Sequence, residues 1–309
     1  MPGLLTLFLK ELSDHFRSKR ILVLLALVWL SGLSAIYIAG QSIRENVPES
    51  GFVFLQLFIA SSGTLPPFIS FIAFFGPLVG LSLGFDAINR EQTGGTLSLL
   101  LSQPVYRDTV IGGKFLAGMS VISFMLVSIV LIVSGLGLWM LAVPPSLEEV
   151  LRIIAYLAVT VVYIGFWMSL AMLFSIFFKR ITTSALAGLA IWLFLIVFMP
   201  IVAGLAADKL APVDTNSVES IIRNQRVNQA VERISPASLY EEATAIILRP
   251  TAKSLGPLSV TQAERLMPNP LPFSQSLLII WPHIIAIIGF TSVCFGISYV
   301  RFMRREIRA

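Results

Sequence analysis

Residues 85–115 read FDAINREQTGGTLSLLLSQPVYRDTVIGGKF, a charged and glycine-bearing tract between two long apolar runs. The run before it, residues 66–84, has no charged side chain, and the run after it, residues 109–143, has only Lys114. About twenty apolar residues in a helix cross the roughly 30 Å hydrocarbon layer of a bilayer, so both runs are expected to be spans and the tract to be the loop joining them. Its residues nevertheless specify structure. Asp86, Arg90 and Glu91 continue the preceding helix into water, and Gly94 with Gly95 frees the backbone to turn. Thr96 is suited to start a short helix, Leu97 to Gln103, which Pro104 ends. Leu97, Leu100 and Leu101 share one face of that helix. Asp108 is suited to cap the next helix, which enters the membrane past Gly112, Gly113 and Lys114. The expectation is a short amphipathic helix fixed between two spans, offering leucines and flanking charges to a groove on a second protein.

The remainder of the chain extends this reading. Hydrophobic residues make up 56% of the 309 and charged residues only 13%, about half the charged share of an ordinary soluble domain. With a mean hydropathy of +0.86, a soluble globule is excluded. Residues 1–20 set Leu4, Leu5, Leu7, Phe8, Leu12 and Phe16 against Lys10, Glu11, Asp14, Arg17, Lys19 and Arg20 at helical spacing, the pattern of an interfacial amphipathic helix. It leads into a first span, read as a retained anchor. Six spans are expected, near residues 21–39, 66–84, 109–143, 151–178, 183–207 and 276–300, with apolar residues 51–65 read as a re-entrant or interfacial piece broken off by Pro66 and Pro67.

Basic residues orient the bundle. With residues 85–108 on the cytoplasmic side, that side holds thirteen Lys and Arg in short flanks, and the short outer loops hold Arg44 and Arg152 alone. The positive-inside bias therefore places both termini in the cytoplasm. The net charge of +5 is accounted for by this anchoring, and no basic groove for nucleic acid is visible. Residues 208–275 form a helical extracytoplasmic segment. Asn216 with Glu219 reads as the start of one helix, and Ser235 with Pro236 as the start of another that Pro250 stops. The segment reads either as helices packed on the outer ends of the spans or as a lid over an outward cavity. The whole chain, 1–309, reads as a single all-α membrane domain.

The residues Asp86, Ala87, Ile88, Arg90, Glu91, Gly95, Thr96, Leu97, Leu100, Leu101, Gln103, Pro104, Val105 and Arg107, with Lys114 beyond them, carry a resemblance. The tract is similar to the D-x-I-x-x-E-x-x-x-G-T-L-x-x-L-L-x-x-P-V-x-R pattern of the permease subunits of type-2 ATP-binding-cassette exporters. That family includes drug, sodium and nitrous-oxide-reductase maturation permeases. The chain departs from it in a longer segment between spans five and six, and in Thr93-Gly94 where a charged pair often stands. The resemblance implies a permease of a prokaryotic cytoplasmic membrane, a homodimer or pseudo-dimer bound to two copies of a cytoplasmic ATPase subunit that carries the ATP and Mg. It further implies that Asp86, Arg90, Glu91, Gly95, Thr96, Leu97, Leu100, Leu101, Pro104 and Arg107 form the contact through which ATP-driven motion reaches the spans.

The chemistry missing from the chain agrees with a divided machine. No G-x-x-x-x-G-K-[ST] phosphate loop is present, since Phe115 follows Lys114 where a hydroxyl residue is needed, so ATP is hydrolysed elsewhere and the chain is not itself an enzyme. There is no HExxH or GxSxG, the two histidines His15 and His283 are far apart in sequence, and the single cysteine Cys294 lies in an apolar run. No metal or bound cofactor is expected. His283 reads as an interfacial hydrogen-bonding residue. Gly76, Gly80 and Gly84 stand four apart on one face of span two, suited to close packing on a neighbouring span or on a dimer partner. No substrate contact is assigned. A rival reading keeps the ATPase but makes the chain a non-transporting membrane subunit that pulls on an extracytoplasmic partner through residues 208–275.

Overall fold

A computed structural model describes residues 2–45, 52–60, 66–95, 106–213, 218–249 and 271–304. Every regular element among them is a helix. Six helices are long and apolar enough to cross a membrane: Lys19–Gln41, Phe68–Thr93, Arg107–Met140, Leu147–Phe177, Ile181–Leu210 and Phe273–Met303.

Helix α1, Pro2–Arg17, is joined to α2, Lys19–Glu45, by Ser18 alone, whose side-chain oxygen accepts from the Arg20 amide. The amphipathic face expected of residues 1–20 is used: Leu7 is buried against Gly113, while Leu5 and Leu9 remain exposed. Phe16 stands edge-on to Phe124 of the third span. A short helix, α3, Gln56–Ile59, tucks Leu57 and Phe58 into the core beside α2 and α4, Phe68–Gly84. Phe58 stacks edge-on with Phe68, the first residue of that span. After α4 comes α5, Asn89–Thr93, then the third span, α6, Arg107–Leu141.

The bundle is organised on α7, Leu147–Phe177. Its most apolar window is 67% buried, against 11% for the fifth span and 17% for the sixth, so α7 is the axis on which α4, the sixth span and a later helix pack. It starts four residues before the apolar run that marked it in the sequence. Ser146 closes a capping box, accepting from the Glu149 amide while Glu149 accepts from the Ser146 amide at 2.8 Å. That reciprocal pairing satisfies donors that a helix start leaves open.

The glycine row lies against α7 of the same chain. A Cβ built on Gly80 would stand 2.5 Å from the Ile164 carbonyl oxygen, and one on Gly84 2.5 Å from that of Met168. Backbone meets backbone there, which only glycine allows. Gly76 is looser, its nearest neighbours being Cγ1 and Cδ1 of the Ile164 side chain at 3.1 and 3.2 Å.

The fifth span is interrupted. Helix α8, Ile181–Leu193, passes through a π-helical turn, Phe194–Phe198, into α9, Met199–Leu210. Pro200 has no amide hydrogen to offer the preceding turn, and a wider turn is one way a helix absorbs that loss. The Leu195 carbonyl inside the turn accepts instead from the Ser235 hydroxyl at 3.2 Å. Helix α10, Val218–Glu232, packs along α9. Helix α11, Pro236–Leu248, starts at Ser235, whose side chain accepts from the Ala237 amide. It is no surface lid: nine of its thirteen residues are buried, between α7 and α12, Phe273–Met303. Of the segment read between spans five and six, residues 214–217 and 250–270 lie outside the described residues.

Arg152 fastens this end of the molecule. It lies on α7 with no exposed surface, pairs with Glu148 at 2.7 Å, and donates to the carbonyls of Ile247 and Leu271 and to the Ser276 hydroxyl. One guanidinium thus joins α7, the end of α11 and the start of α12, a task its planar array of donors suits. Nearby, Glu149 accepts from the Phe54 amide at 2.9 Å and holds the chain entering α3.

Candidate functional site

The tract singled out in the sequence begins where α4 ends, and its first half is braced rather than loose. Phe85 offers its carbonyl to the Ser184 hydroxyl of α8 at 2.8 Å. The Ser175 hydroxyl of α7 accepts from the amides of Ile88 and Asn89 and donates to Asn89 Oδ1 at 2.6 Å. Asn89 is fully buried and donates through Nδ2 to the Phe178 carbonyl. The start of α5 is therefore bolted to the end of α7. Ile88, Val110, Ile111, Met172, Ile176, Phe302 and Leu7 form a separate apolar cluster beneath it, joining five helical segments at this end of the bundle.

Above that cluster lies a charge network. Arg20 Nη1 reaches both carboxylate oxygens of Asp86 at 3.0 Å, and its guanidinium covers the Phe85 ring at 5.4 Å. Lys114, only 7% exposed, stands between two carboxylates, 2.8 Å from Glu91 Oε1 and 3.0 Å from Glu11 Oε2. Lys10 meets Glu11 and Asp14, each at 2.9 Å. A buried ammonium is stable only with such partners, and removing one side of a buried pair typically costs about 3–5 kcal/mol. Burial alone would raise the Glu11 carboxyl; the Lys114 charge and the hydrogen bonds from Lys10 and Lys114 outweigh it and hold the group below its usual range. Burial would likewise lower the Lys10 ammonium, but hydrogen bonds to Glu11 and Asp14 hold it above its usual range. Burial lowers His15.

The residues expected to act here divide in two. Asp86, ahead of α5, pairs with Arg20 of α2, and Glu91, within it, with Lys114 of α6, while Arg90 stays largely exposed, 4.0 Å from Asp86. Gly95 follows α5 with φ of +69°, the left-handed turn that its glycine permits. Arg107 opens α6 and donates to the Met303 carbonyl at the end of α12. Thr96, Leu97, Leu100, Leu101 and Pro104 lie outside the described residues. One local expectation is corrected: Tyr106, not Asp108, occupies the cap of α6, and Asp108 falls in the first turn, its Oδ1 accepting from the Thr109 amide. There an acidic side chain still complements the positive end of the helix dipole. Glu11, Asn89 and Ser175 were not anticipated. For Glu11 the signal was a lysine seven residues into a long apolar helix, since a charge at that depth requires partners; Asn89 and Ser175 left no such mark.

Between α1 and the ends of α4, α6 and α7 the network lines a half-open cavity of about 920 Å³. Among the described residues no cluster of three or more His, Cys, Asp or Glu side chains is arranged to hold a metal.

Six apolar helices and a braced, charged end define a multi-pass helical membrane protein. The chain belongs to the ABC-2 family of transporter proteins, whose model matches residues 5–307. It is 37% identical over 118 residues to a protein of Pseudomonas aeruginosa named as a probable ABC transporter permease protein NosY, a match covering 38% of this chain and 38% of that one. It is 38% identical over 106 residues to the protein of the same name from Stutzerimonas stutzeri, covering 34% of this chain and 35% of the relative. The similarity thus spans little more than a third of either relative's length.

Proposed function

We propose that this chain is the permease subunit of an ATP-driven exporter, and that residues 85–107 are where a separate cytoplasmic ATPase engages it. One observation carries the reading: α5 is tied to α7 through Asn89 and Ser175, to α6 through Glu91 and Lys114, and begins three residues beyond Asp86, which holds α2 through Arg20. A push on such an element is delivered to four spans at once, because a hydrogen-bonded and ion-paired contact does not yield as a solvated loop does. The order of the basic flanks supports a cytoplasmic position for this end. The substrate path is read as lying between two permease chains, since the core cavity ringed by Val28, Ile72, Gly76, Ile122 and Ile164 holds only about 10 Å³, roughly the room of one water. Export across a prokaryotic cytoplasmic membrane, two ATPase copies and a dimer of permeases complete the reading.

The test is co-purification. The chain, tagged and extracted in detergent with its ATPase, is expected to retain that subunit, and Leu97→Asp with Leu100→Asp is expected to release it while membrane insertion is unchanged. Undiminished retention of the ATPase by the double variant would overturn the docking assignment.

A further inference from the structure

We infer that the cavity under α1 binds the phosphate of an anionic phospholipid headgroup drawn from the leaflet on which α1 lies. The inference uses α1 as an interfacial helix and does not depend on the ATPase docking proposed above.

The cavity's size, about 920 Å³, is that of a small-ligand site. Its charges do not cancel locally. Lys10, Lys114 and Arg20 are engaged by Glu11, Asp14, Glu91 and Asp86. Two lining guanidinium groups are left over. Arg17, at the end of α1, has no ion pair among the described residues. Arg90 is 75% exposed, and its nearest carboxylate, Asp86 at 4.0 Å, is already held by Arg20 at 3.0 Å. Arg20 itself keeps a buried Nε with no hydrogen-bond partner. Three guanidinium groups from two separate stretches of chain therefore converge on one cavity with donors to spare, the array that a phosphate with its several acceptor oxygens satisfies.

The opposite wall names the class of phosphate compound. Leu83, Met168 and Met172, each no more than 3% exposed, close the cavity with an apolar floor. A nucleotide would need a stacking surface for its base, and among the described residues no Phe, Tyr or Trp lines the cavity. The helices that bound it, α1 and α2, carry exposed Leu5, Leu9, Phe16, Leu22 and Val23, an apolar flank that meets hydrocarbon beside the cavity. Anionic lipids are recognised by basic groups placed at this level of a membrane protein. A headgroup seated there would bridge the end of α1 to α5, adding a contact that neither helix makes with the other through Arg17 or Arg90.

The experiment uses the full-length chain in detergent, stripped of lipid and then given phosphatidylglycerol or phosphatidylcholine, with bound lipid counted by native mass spectrometry. Wild type is expected to retain phosphatidylglycerol about tenfold more than Arg17→Gln with Arg90→Gln, and both are expected to retain phosphatidylcholine equally. Arg17→Lys with Arg90→Lys, which keeps charge but loses the fork, is expected to fall between them. Equal retention of phosphatidylglycerol by wild type and the Gln variant would overturn the inference. Inorganic phosphate at millimolar concentration is expected to leave the bound lipid in place; its displacement would overturn the lipid as occupant in favour of a soluble phosphate compound.

Discussion

Lys114 Nζ lies 2.8 Å from Glu91 Oε1, so a lysine of the third span and a glutamate at the end of the second share a buried ion pair, with Glu11 of α1 closing the other side at 3.0 Å. Lys114→Met removes the buried cation that stands between Glu11 and Glu91, and a loss of about 3–5 kcal/mol in stability is expected. Adding Glu11→Gln and Glu91→Gln to the same chain recovers most of it, because the buried charges then disappear together. Thermal unfolding of wild type, Lys114→Met, the Glu11→Gln Glu91→Gln double variant and the triple variant checks this. Simple additivity of the three changes would contradict the shared network.

The closeness of α4 to α7 predicts a graded response along the glycine row. Gly84→Ala and Gly80→Ala drive a methyl into a backbone carbonyl 2.5 Å away, and a destabilisation of about 1–3 kcal/mol or more is expected for each. Gly76→Ala meets side-chain atoms of Ile164 rather than a carbonyl, and a smaller effect is expected. Melting temperatures in one detergent rank the three; equal effects would contradict the geometry.

Arg152 predicts that charge alone is insufficient at the other end. Arg152→Lys keeps the pair with Glu148 but not the donors to Ile247, Leu271 and Ser276, so it is expected to behave much like Arg152→Met, near the 3–5 kcal/mol typical of a broken buried pair. Near-complete rescue by lysine in an unfolding assay would show that the carbonyl contacts contribute little.

Glu242 sets a dependence on pH. Burial favours its neutral form, but the His283 hydrogen bond, at 2.7 Å, and Arg233 outweigh burial and lower the carboxyl from its ordinary 4.5. A lowered carboxyl contributes stability that is complete above its unfolded value and lost as pH falls through its folded one. The stability advantage of wild type over Glu242→Gln is therefore expected to shrink as pH falls through and below 4.5. Melting curves across this range check the sign; an advantage that grows toward acid would contradict it.

Much of the architecture was legible because the bilayer writes it plainly: uninterrupted apolar runs fix six spans, and Ser235-Pro236 and the residues around Gly94-Gly95 fix starts and turns. What escaped were the places where polar residues belong to the interior. Reading α7 from Leu151 passed over Ser146 and Glu149, since hydropathy has no sense of capping. Arg152 and Lys114 counted as flanking charges, yet both are buried, and their partners come from residues up to 124 positions away. No local pattern records such pairings. The π-helical turn left only Pro200 as a trace, and its carbonyl partner, Ser235, stands 40 residues on.

Attachment of an ATPase at residues 85–107 is tested most directly by cross-linking. Cysteine placed at Ser102, in a chain whose Cys294 is changed to Ser, is treated with a short thiol-to-amine reagent in membranes holding the ATPase. A cross-linked permease–ATPase product that forms at Ser102→Cys, and not at a cysteine introduced at Ser146, is the result this account predicts. Labelling of Ser102→Cys solely from outside intact cells, with no product, would contradict it.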